Sequence, residues 1–292
     1  MIGFNHIGTM GRLGNQMFQH ASTKGIARKL GLEYCIPPAD RLDFQIDNYG
    51  LFEAFEMSNV DHVQFLNNGN APVVQERHFH FDEELFTLCP DHVTLNGFFQ
   101  TEKYFKHVER EIREDYTFRP EWIGPCTEFM SQFEGQEVIF LHVRRGDPNL
   151  ADKRGFKWAY VNIQDQHPVQ PLDYYENALK QFPEDYPVLV FSDSIDWCKE
   201  QEIFKPDRFM FSEPEDKYDD GALVPYVDLC IMSLCSHAII ANSSLSWWGA
   251  WLQKNPNKKV IAPKMWFGPA YHQHNTKDLI PNEWTRIGDG QE

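Results

Sequence analysis

The sequence predicts an α/β protein built from two Rossmann-like domains that face each other across a cleft. Three observations carry this reading. Residues 138–262 alternate short Val/Ile/Leu/Phe runs with helical stretches, the rhythm of a parallel sheet covered by helices on both faces. The first 30 residues run strand, glycine-rich turn, helix, which is how a nucleotide-binding βαβ unit opens. A proline-marked connector near residues 120–135 separates the halves, and 292 residues suffice for two cores. The expected domains are 1–130, on the acceptor side, and 131–292, which binds the donor, with the last helix packing back on the first domain.

Residues 2–7 read as the first strand, followed by Gly8-Thr9-Met10-Gly11-Arg12-Leu13-Gly14 and a helix with Asn15 as N-cap. Met17, Phe18, Ala21, Ile26 and Leu30 give that helix an apolar face, and Gly31 stops it. A second strand spans 33–36, closed by Pro37-Pro38. Residues 40–95 mix short apolar runs with Asn, Gly and Asp and yield no trace. A charged amphipathic helix is expected over 101–114 and a connector over 120–125. Strands then follow at 138–143, 188–191, 208–211, 238–241 and 260–262, the last of them. Helices fall at 173–182, 194–202, 224–234 and 246–253, with Asp173 and Glu176 at capping-box spacing.

A formal charge of −16, from 27 basic and 43 acidic residues, argues against nucleic acid or an anionic membrane as partner. Any anionic ligand needs a locally basic site. The six cysteines form no CxxC pair, as expected of free thiols in a reducing compartment. No stretch approaches the ~20 apolar residues of a membrane span, and the N-terminus lacks a signal-peptide pattern. The expectation is a cytoplasmic protein without a membrane span.

The basic site is legible at Leu141-His142-Val143-Arg144-Arg145-Gly146-Asp147-Pro148. Two arginines directly after a buried strand stand where open α/β sheets bind ligands, and the guanidinium fork fits a phosphate bidentately. His142 and Arg144 share a side of the strand, so Arg144 is the expected phosphate contact, with Arg145 in support. His142 is either an orienting hydrogen-bond partner or a satisfied buried histidine. Asp147 is either a general base or part of a turn bonding its own backbone.

A second element, Ile239-Ile240-Ala241-Asn242-Ser243-Ser244-Leu245-Ser246-Trp247-Trp248, runs a strand into small polar residues and a helix. Helix-start amides with the Asn242, Ser243 and Ser244 side chains form an anion cradle needing no formal charge, although Asn242 or Ser243 could simply cap the helix. Asp193, ending another strand in Phe191-Ser192-Asp193-Ser194, is placed to reach the same ligand.

The turn Gly8-x-x-Gly11-x-x-Gly14 also fits a nicotinamide-dependent reductase. Such enzymes need Tyr-x-x-x-Lys, and none of the 11 tyrosines is followed by Lys at that spacing. His78, His80, His272 and His274 lack further ligands at sensible spacing, so no metal is expected. Asp-x-Asp does not occur.

Four segments carry a family resemblance: Gly11-Arg12-Leu13-Gly14-Asn15-Gln16-Met17-Phe18-Gln19, Asn96-Gly97-Phe98-Phe99-Gln100-Thr101-Glu102-Lys103-Tyr104-Phe105, His142-Val143-Arg144-Arg145-Gly146-Asp147 and Asn242-Ser243-Ser244-Leu245-Ser246-Trp247-Trp248-Gly249-Ala250-Trp251. Together they resemble family 11 glycosyltransferases, the α-1,2-fucosyltransferases. The resemblance implies a GT-B-like fold and metal-independent, inverting transfer from GDP-fucose to a galactoside 2-hydroxyl, with no further cofactor. It implies a bacterial or viral cytosolic form and a glycan acceptor. Arg12, where many members carry Gly-Gly, is similar to the arginine of protein O-fucosyltransferases and is assigned to the donor; Asn15 and Gln16 are assigned to the acceptor side. The alternatives are another GDP-fucose-dependent fucosyltransferase, or a sugar-nucleotide-binding protein without chemistry.

Overall fold

In the computed structural model, which describes residues 1–39, 49–149, 157–213 and 224–289, the apolar runs form two parallel sheets. The first holds β1 (Ile2–Gly3), β2 (Tyr34–Ile36), β3 (His62–Val63), β4 (Val73–Gln75) and β5 (Val93–Asn96) in the order β3-β2-β1-β5-β4. Helix α1 (Leu13–Lys29) follows β1, and α2 (Leu51–Ala54) and α3 (Glu109–Asp115) belong to the same half.

The first strand is shorter than expected because Asn5 leaves the ladder. Its N–H donates to Thr94 Oγ1 (2.8 Å), while its side chain donates to Leu66 O (3.0 Å) and accepts from Leu66 N (2.8 Å). Asparagine offers the backbone this local alternative, and the chain turns here. The N-cap of α1 is Arg12, with Asn15 already inside the helix.

Helix α1 is buried on nearly every side, not along one apolar stripe. Gln16, Gln19, His20, Ser22, Thr23 and Lys24 are all at 0% exposure. Burying them requires partners. Lys24 Nζ pairs with the equally buried Asp115 at 2.7 Å, and His20 bridges the Tyr116 and Tyr34 hydroxyls at 2.9 and 3.0 Å. Gly25 lets the helix touch the following chain, since a Cβ there would lie 2.0 Å from the Tyr104 carbonyl oxygen.

The helix expected over 101–114 breaks into two short 3-10 turns before α3. Thr101 caps the first by accepting from Lys103 N (3.3 Å), and Tyr104 and Phe105 turn fully into the core. The expected connector at 120–125 is helical instead: Pro120 opens α4 (Pro120–Met130), where its fixed φ suits a first turn.

The second sheet holds β6 (Ile139–Val143), β7 (Val188–Ser192), β8 (Phe209–Phe211), β9 (His237–Ile239), β10 (Val260–Pro263) and β11 (Thr285–Ile287). Its order is β11-β10-β9-β6-β7-β8. Helices α5 (Leu172–Leu179), α6 (Ile195–Glu200), α7 (Tyr226–Leu234) and α8 (Ser244–Leu252) make the crossovers. From β6 the chain winds outward to β8, then returns to β9 on the other side of β6. That reversal is the topological switch point of a doubly wound sheet. The core between sheet and helices includes Ile139, Leu141, Val143, Val188, Val190, Ile239 and Ile261. Two local expectations differ. Helix α5 starts at Leu172 after Pro171 with no side-chain cap, so Asp173 and Glu176 form no capping box. Edge strand β11, too short and polar to read from sequence, follows the strand expected to be last.

The chain divides into two compact units, Met1–Pro120 with His274–Asn282 and Glu121–Gln273 with Glu283–Glu292. The division falls ten residues before the boundary expected at 130. Helix α4 belongs to the second unit because it packs there: Trp122 lies against Tyr226 (5.3 Å between centroids), and Cys126 Sγ contacts Val227 O at 3.8 Å. The segment that returns to the first unit is 274–282, not a terminal helix. Asp278 accepts there from Phe81 N (3.0 Å) and Lys103 Nζ (2.5 Å). All six cysteines are free and buried. Among the described residues no helix is long and apolar enough to cross a membrane.

Candidate active site at the switch point of the second sheet

Strand β6 delivers the arginines by its register. Val143 pairs with Ser192 as the last rung between β6 and β7, so the next residues, Arg144 and Asp193, leave the sheet side by side. Asp193 then organises the arginine turn. Its Oδ2 pairs with Arg144 Nη1 at 2.6 Å, and its Oδ1 accepts from Arg145 N (2.9 Å) and Gly146 N (2.8 Å). Gly146 needs both its freedoms: φ is +80°, and a Cβ would lie 2.7 Å from that of Ala159. The carboxylate expected to reach the ligand is thus occupied with holding Arg144 and the backbone behind it.

The two guanidinium groups rest on different aromatic rings. Arg144 Cζ lies 5.1 Å from the Tyr160 centroid, and Arg145 Cζ lies 4.5 Å from that of Trp197 on α6. Tyr160 is backed by His167, stacked at 5.0 Å and 17°. Both guanidinium groups keep donors for an anion, since stacking uses the π face and leaves the N–H fork in the plane. Among the described residues no carboxylate pairs with Arg145.

His142 is 5% exposed and its Nδ1 has no partner among the described residues. Burial pushes its pKa down to about 4, against the nearby Asp193 carboxylate and with the Arg144 charge adding to the fall. The ring is therefore neutral at pH 7. Asp147 is exposed, and its Oδ1 accepts from Asn149 N at 2.8 Å. The turn reading holds for it, and the geometry gives no support to a base there.

The other wall is the start of α8, which follows β9 across the switch. Ser243 is the N-cap and makes no side-chain capping bond. The first intrahelical bond runs from Trp247 N to Ser243 O (3.0 Å), which leaves the Ser244, Leu245 and Ser246 amides outside the helix's own ladder. Asn242 is different. Its Nδ2 donates to Pro168 O and Trp266 O (3.0 Å each), and its Oδ1 accepts from Gln170 Nε2 (3.1 Å). Every polar atom of that amide braces the loops, so its side chain is a strut and not a ligand contact. Tyr160 joins the two walls, because its hydroxyl donates to Asn242 O (3.2 Å) while its ring carries Arg144.

Arg144, Arg145, His142, Asp193, Asn242, Ser243 and Ser244 are thus brought together at the carboxyl ends of β6, β7 and β9. Arg12, Asn15 and Gln16 lie in the first unit at the start of α1. Arg12 is exposed. Asn15 Oδ1 accepts from Gln100 Nε2 at 2.6 Å. Gln16 is at 0% exposure and its Oε1 accepts from Gly50 N (3.0 Å), so burial removes it from the acceptor side. Tyr160, His167, Gln170 and Trp197 are additions that only the structure makes. An aromatic ring beneath an arginine leaves no spacing signature when the two lie 16 or 52 residues apart. His78 stacks on His80 (4.7 Å) and Phe79 on His274 (4.0 Å). No group of three or more His, Cys, Asp or Glu among the described residues could hold a metal ion.

Helix amides outside their own ladder and two ring-stacked arginines therefore both lie at the switch point, where open α/β sheets bind ligands. With the parallel α/β halves, this arrangement marks the protein as a glycosyltransferase. The sequence profile of Glycosyl transferase family 11 matches residues 1–288, and the chain belongs to that family. It is 31% identical to an alpha-1,2-colitosyltransferase of Escherichia coli, over 95% of this chain and 96% of that one. It is 25% identical to a bovine (Bos taurus) galactoside alpha-(1,2)-fucosyltransferase 2, over 84% and 68%. The fold matches the fucosyltransferase NodZ from Bradyrhizobium with a TM-score of 0.53 at 14% identity, over 86% of this chain and 93% of that one. The fold is accordingly α/β and GT-B-like.

Proposed function

We propose that the protein transfers L-fucose from GDP-β-L-fucose to the 2-hydroxyl of a terminal galactoside, with inversion and without a metal. The observation that carries this reading is the pair of walls at one switch point, the Arg144-Arg145 turn and the α8 mouth. The names of the family 11 relatives supply the sugar and the linkage. A bond forms between the acceptor oxygen and the anomeric carbon as the bond to the β-phosphate breaks; its electron pair leaves with GDP, and the hydroxyl proton passes to the departing phosphate or to water. Arg144, braced by Asp193 and Tyr160, neutralises that charge, with Arg145 in support. The Ser244 and Leu245 amides and the Ser243 and Ser244 hydroxyls hold the diphosphate from the other side. The family resemblance assigns Arg12 to the donor and Asn15 to the acceptor. Acceptor contacts are assigned to the stretch 40–95, of which residues 40–48 lie outside the described residues.

The colitosyltransferase relative favours a second donor. Colitose is fucose without its 3-hydroxyl, and the same phosphate site serves either sugar. The deciding experiment incubates the protein with labelled GDP-fucose, GDP-colitose or GDP-mannose and a panel of β-galactosides, followed by linkage analysis. Fucose on the galactose 2-hydroxyl is the expected product; another linkage, or nucleotide binding without product, overturns the reading. EDTA leaves the rate unchanged, and inactivation that Mn²⁺ restores would contradict metal independence. Arg144→Lys lowers turnover by more than about tenfold because an ammonium cannot reproduce the bidentate fork. Near-normal turnover in that variant removes Arg144 from the mechanism.

A further inference from the structure

We infer that Glu76 and Phe98, at the carboxyl end of the first sheet, form the subsite that binds the sugar ring of the acceptor. The inference rests on the reading of the chain as a glycosyltransferase with a neutral galactoside acceptor. Strands β4 and β5 are neighbours in that sheet, and their pairing extends one step further through Glu76 N to Asn96 O at 2.8 Å. The chain then turns at Gly97, where φ is +150° and a Cβ would lie 2.3 Å from Glu76 Cβ and 2.6 Å from its Oε2. Only glycine admits the carboxylate at this place. Glu76 Oε2 accepts from Phe98 N (2.7 Å) and Oε1 from Phe99 N (2.8 Å). Each oxygen is fixed by one amide and keeps a free lone pair.

Two further features separate this carboxylate from a structural ion pair. The adjacent Arg77 turns away from it to Asp82 (2.6 Å) and Glu84 (2.6 Å), so among the described residues no cation neutralises Glu76. Burial raises its pKa to about 7, against the two amide bonds. The titratable neighbours are the Tyr104 phenol and, around it, Asp82 and Asp278. The second feature is Phe98. It is 37% exposed, whereas Phe99 beside it is fully buried, so the turn holds one ring in the core and presents the other.

An exposed aromatic ring on a turn whose amides hold a fixed acceptor suits a hexose, whose C–H face is apolar and whose edge carries donating hydroxyls. Ionised above about pH 7, the uncompensated carboxylate repels phosphate, which makes this a site for a neutral sugar and not a second nucleotide site. The turn is also tied to α1. Gln100 Nε2 donates to Asn15 Oδ1 (2.6 Å), and Gln19 Nε2 donates to Gly97 O (3.0 Å). The subsite is thereby continuous with Asn15, the residue assigned to the acceptor.

The test measures acceptor KM with lactose, and GDP affinity by calorimetry, for wild type, Phe98→Ala, Phe98→Trp and Glu76→Gln. Acceptor KM rises about fivefold or more in Phe98→Ala and Glu76→Gln, Phe98→Trp stays near wild type, and GDP affinity changes less than twofold in all three. Wild-type lactose KM falls as pH rises through about 7, and Glu76→Gln flattens that dependence. An unchanged lactose KM in Phe98→Ala overturns the subsite, as does a parallel loss of GDP affinity. Phe98→Ala removes an exposed ring and decides the matter even where Glu76→Gln disturbs the turn. If the wild type transfers no fucose, saturation-transfer NMR of lactose on wild type and Phe98→Ala takes the place of the kinetics. Lactose signal lost only in the variant supports the subsite, and equal or absent signal overturns it.

Discussion

Asp193→Asn separates a carboxylate that holds the arginine turn from one that competes for it. The asparagine oxygen can still accept from the Arg145 and Gly146 amides, now as neutral bonds, while its NH2 group faces Arg144 with nothing to accept. A charge-assisted bond contributes roughly 1.5–3 kcal/mol and a neutral one about 0.5–1.5 kcal/mol. Arg144 and Asp193 are 30% and 23% exposed, so solvent screening favours the lower end. The expected loss of stability is about 2 kcal/mol, measured by urea denaturation. Catalysis suffers more, because an ångström of misplacement in a positioning group costs on the order of 10²-fold. The prediction is therefore a fall in kcat/KM for GDP-fucose of about 30- to 100-fold, with weaker GDP binding by calorimetry. Unchanged kcat/KM would refute the bracing role. Tighter GDP binding with preserved turnover would show instead that Asp193 merely occupies Arg144 in the empty site.

Three other outcomes follow from the same geometry. Tyr160→Phe keeps the ring under Arg144 and loses the hydroxyl's bonds to Asn242 O and to the Arg144 guanidinium, so kcat/KM should fall by about 2- to 10-fold; Tyr160→Leu also removes a cation–π contact of ~0.5–2 kcal/mol and should cost about a further 2- to 30-fold. Lys24→Met strands the buried Asp115 carboxylate, whose pKa burial already raises, and should destabilise by about 3–5 kcal/mol; Lys24→Met with Asp115→Leu should recover most of that, and a single-variant loss under about 1 kcal/mol would contradict the buried pair. His142 has a folded pKa of about 4, depressed below its unfolded value. Its contribution is complete above about pH 6.5 and lost as pH falls towards 4, up to roughly 3 kcal/mol. His142→Gln should flatten that part of the stability–pH curve, and parallel curves would show that the ring's titration carries none of it.

The first unit shows where sequence reading runs short. Its strands are two to four residues long, too brief for a period-2 pattern to emerge, and its main helix is buried all round. Lys24, Gln16 and His20 read as polar surface in one dimension, and only their partners at Asp115, Gly50, Tyr34 and Tyr116 make their burial tolerable. The assignment of Gln16 to an acceptor fails for that reason. Asp193 and Asn242 are legible as site residues, but their polar atoms serve the loops.

Sequence alone determined the parallel α/β class of the second half, the order of its first five strands and the helices between them, and the two strand ends that meet at the switch point. Continuous buried strands and the residues just after them are local features, written in consecutive positions. Tertiary structure decided which side chains remain free to act. Whether a polar atom is satisfied depends on partners tens of residues away, as Arg144 on Tyr160, Arg145 on Trp197 and Glu76 beneath Gly97 show, and a linear pattern holds no record of those distances.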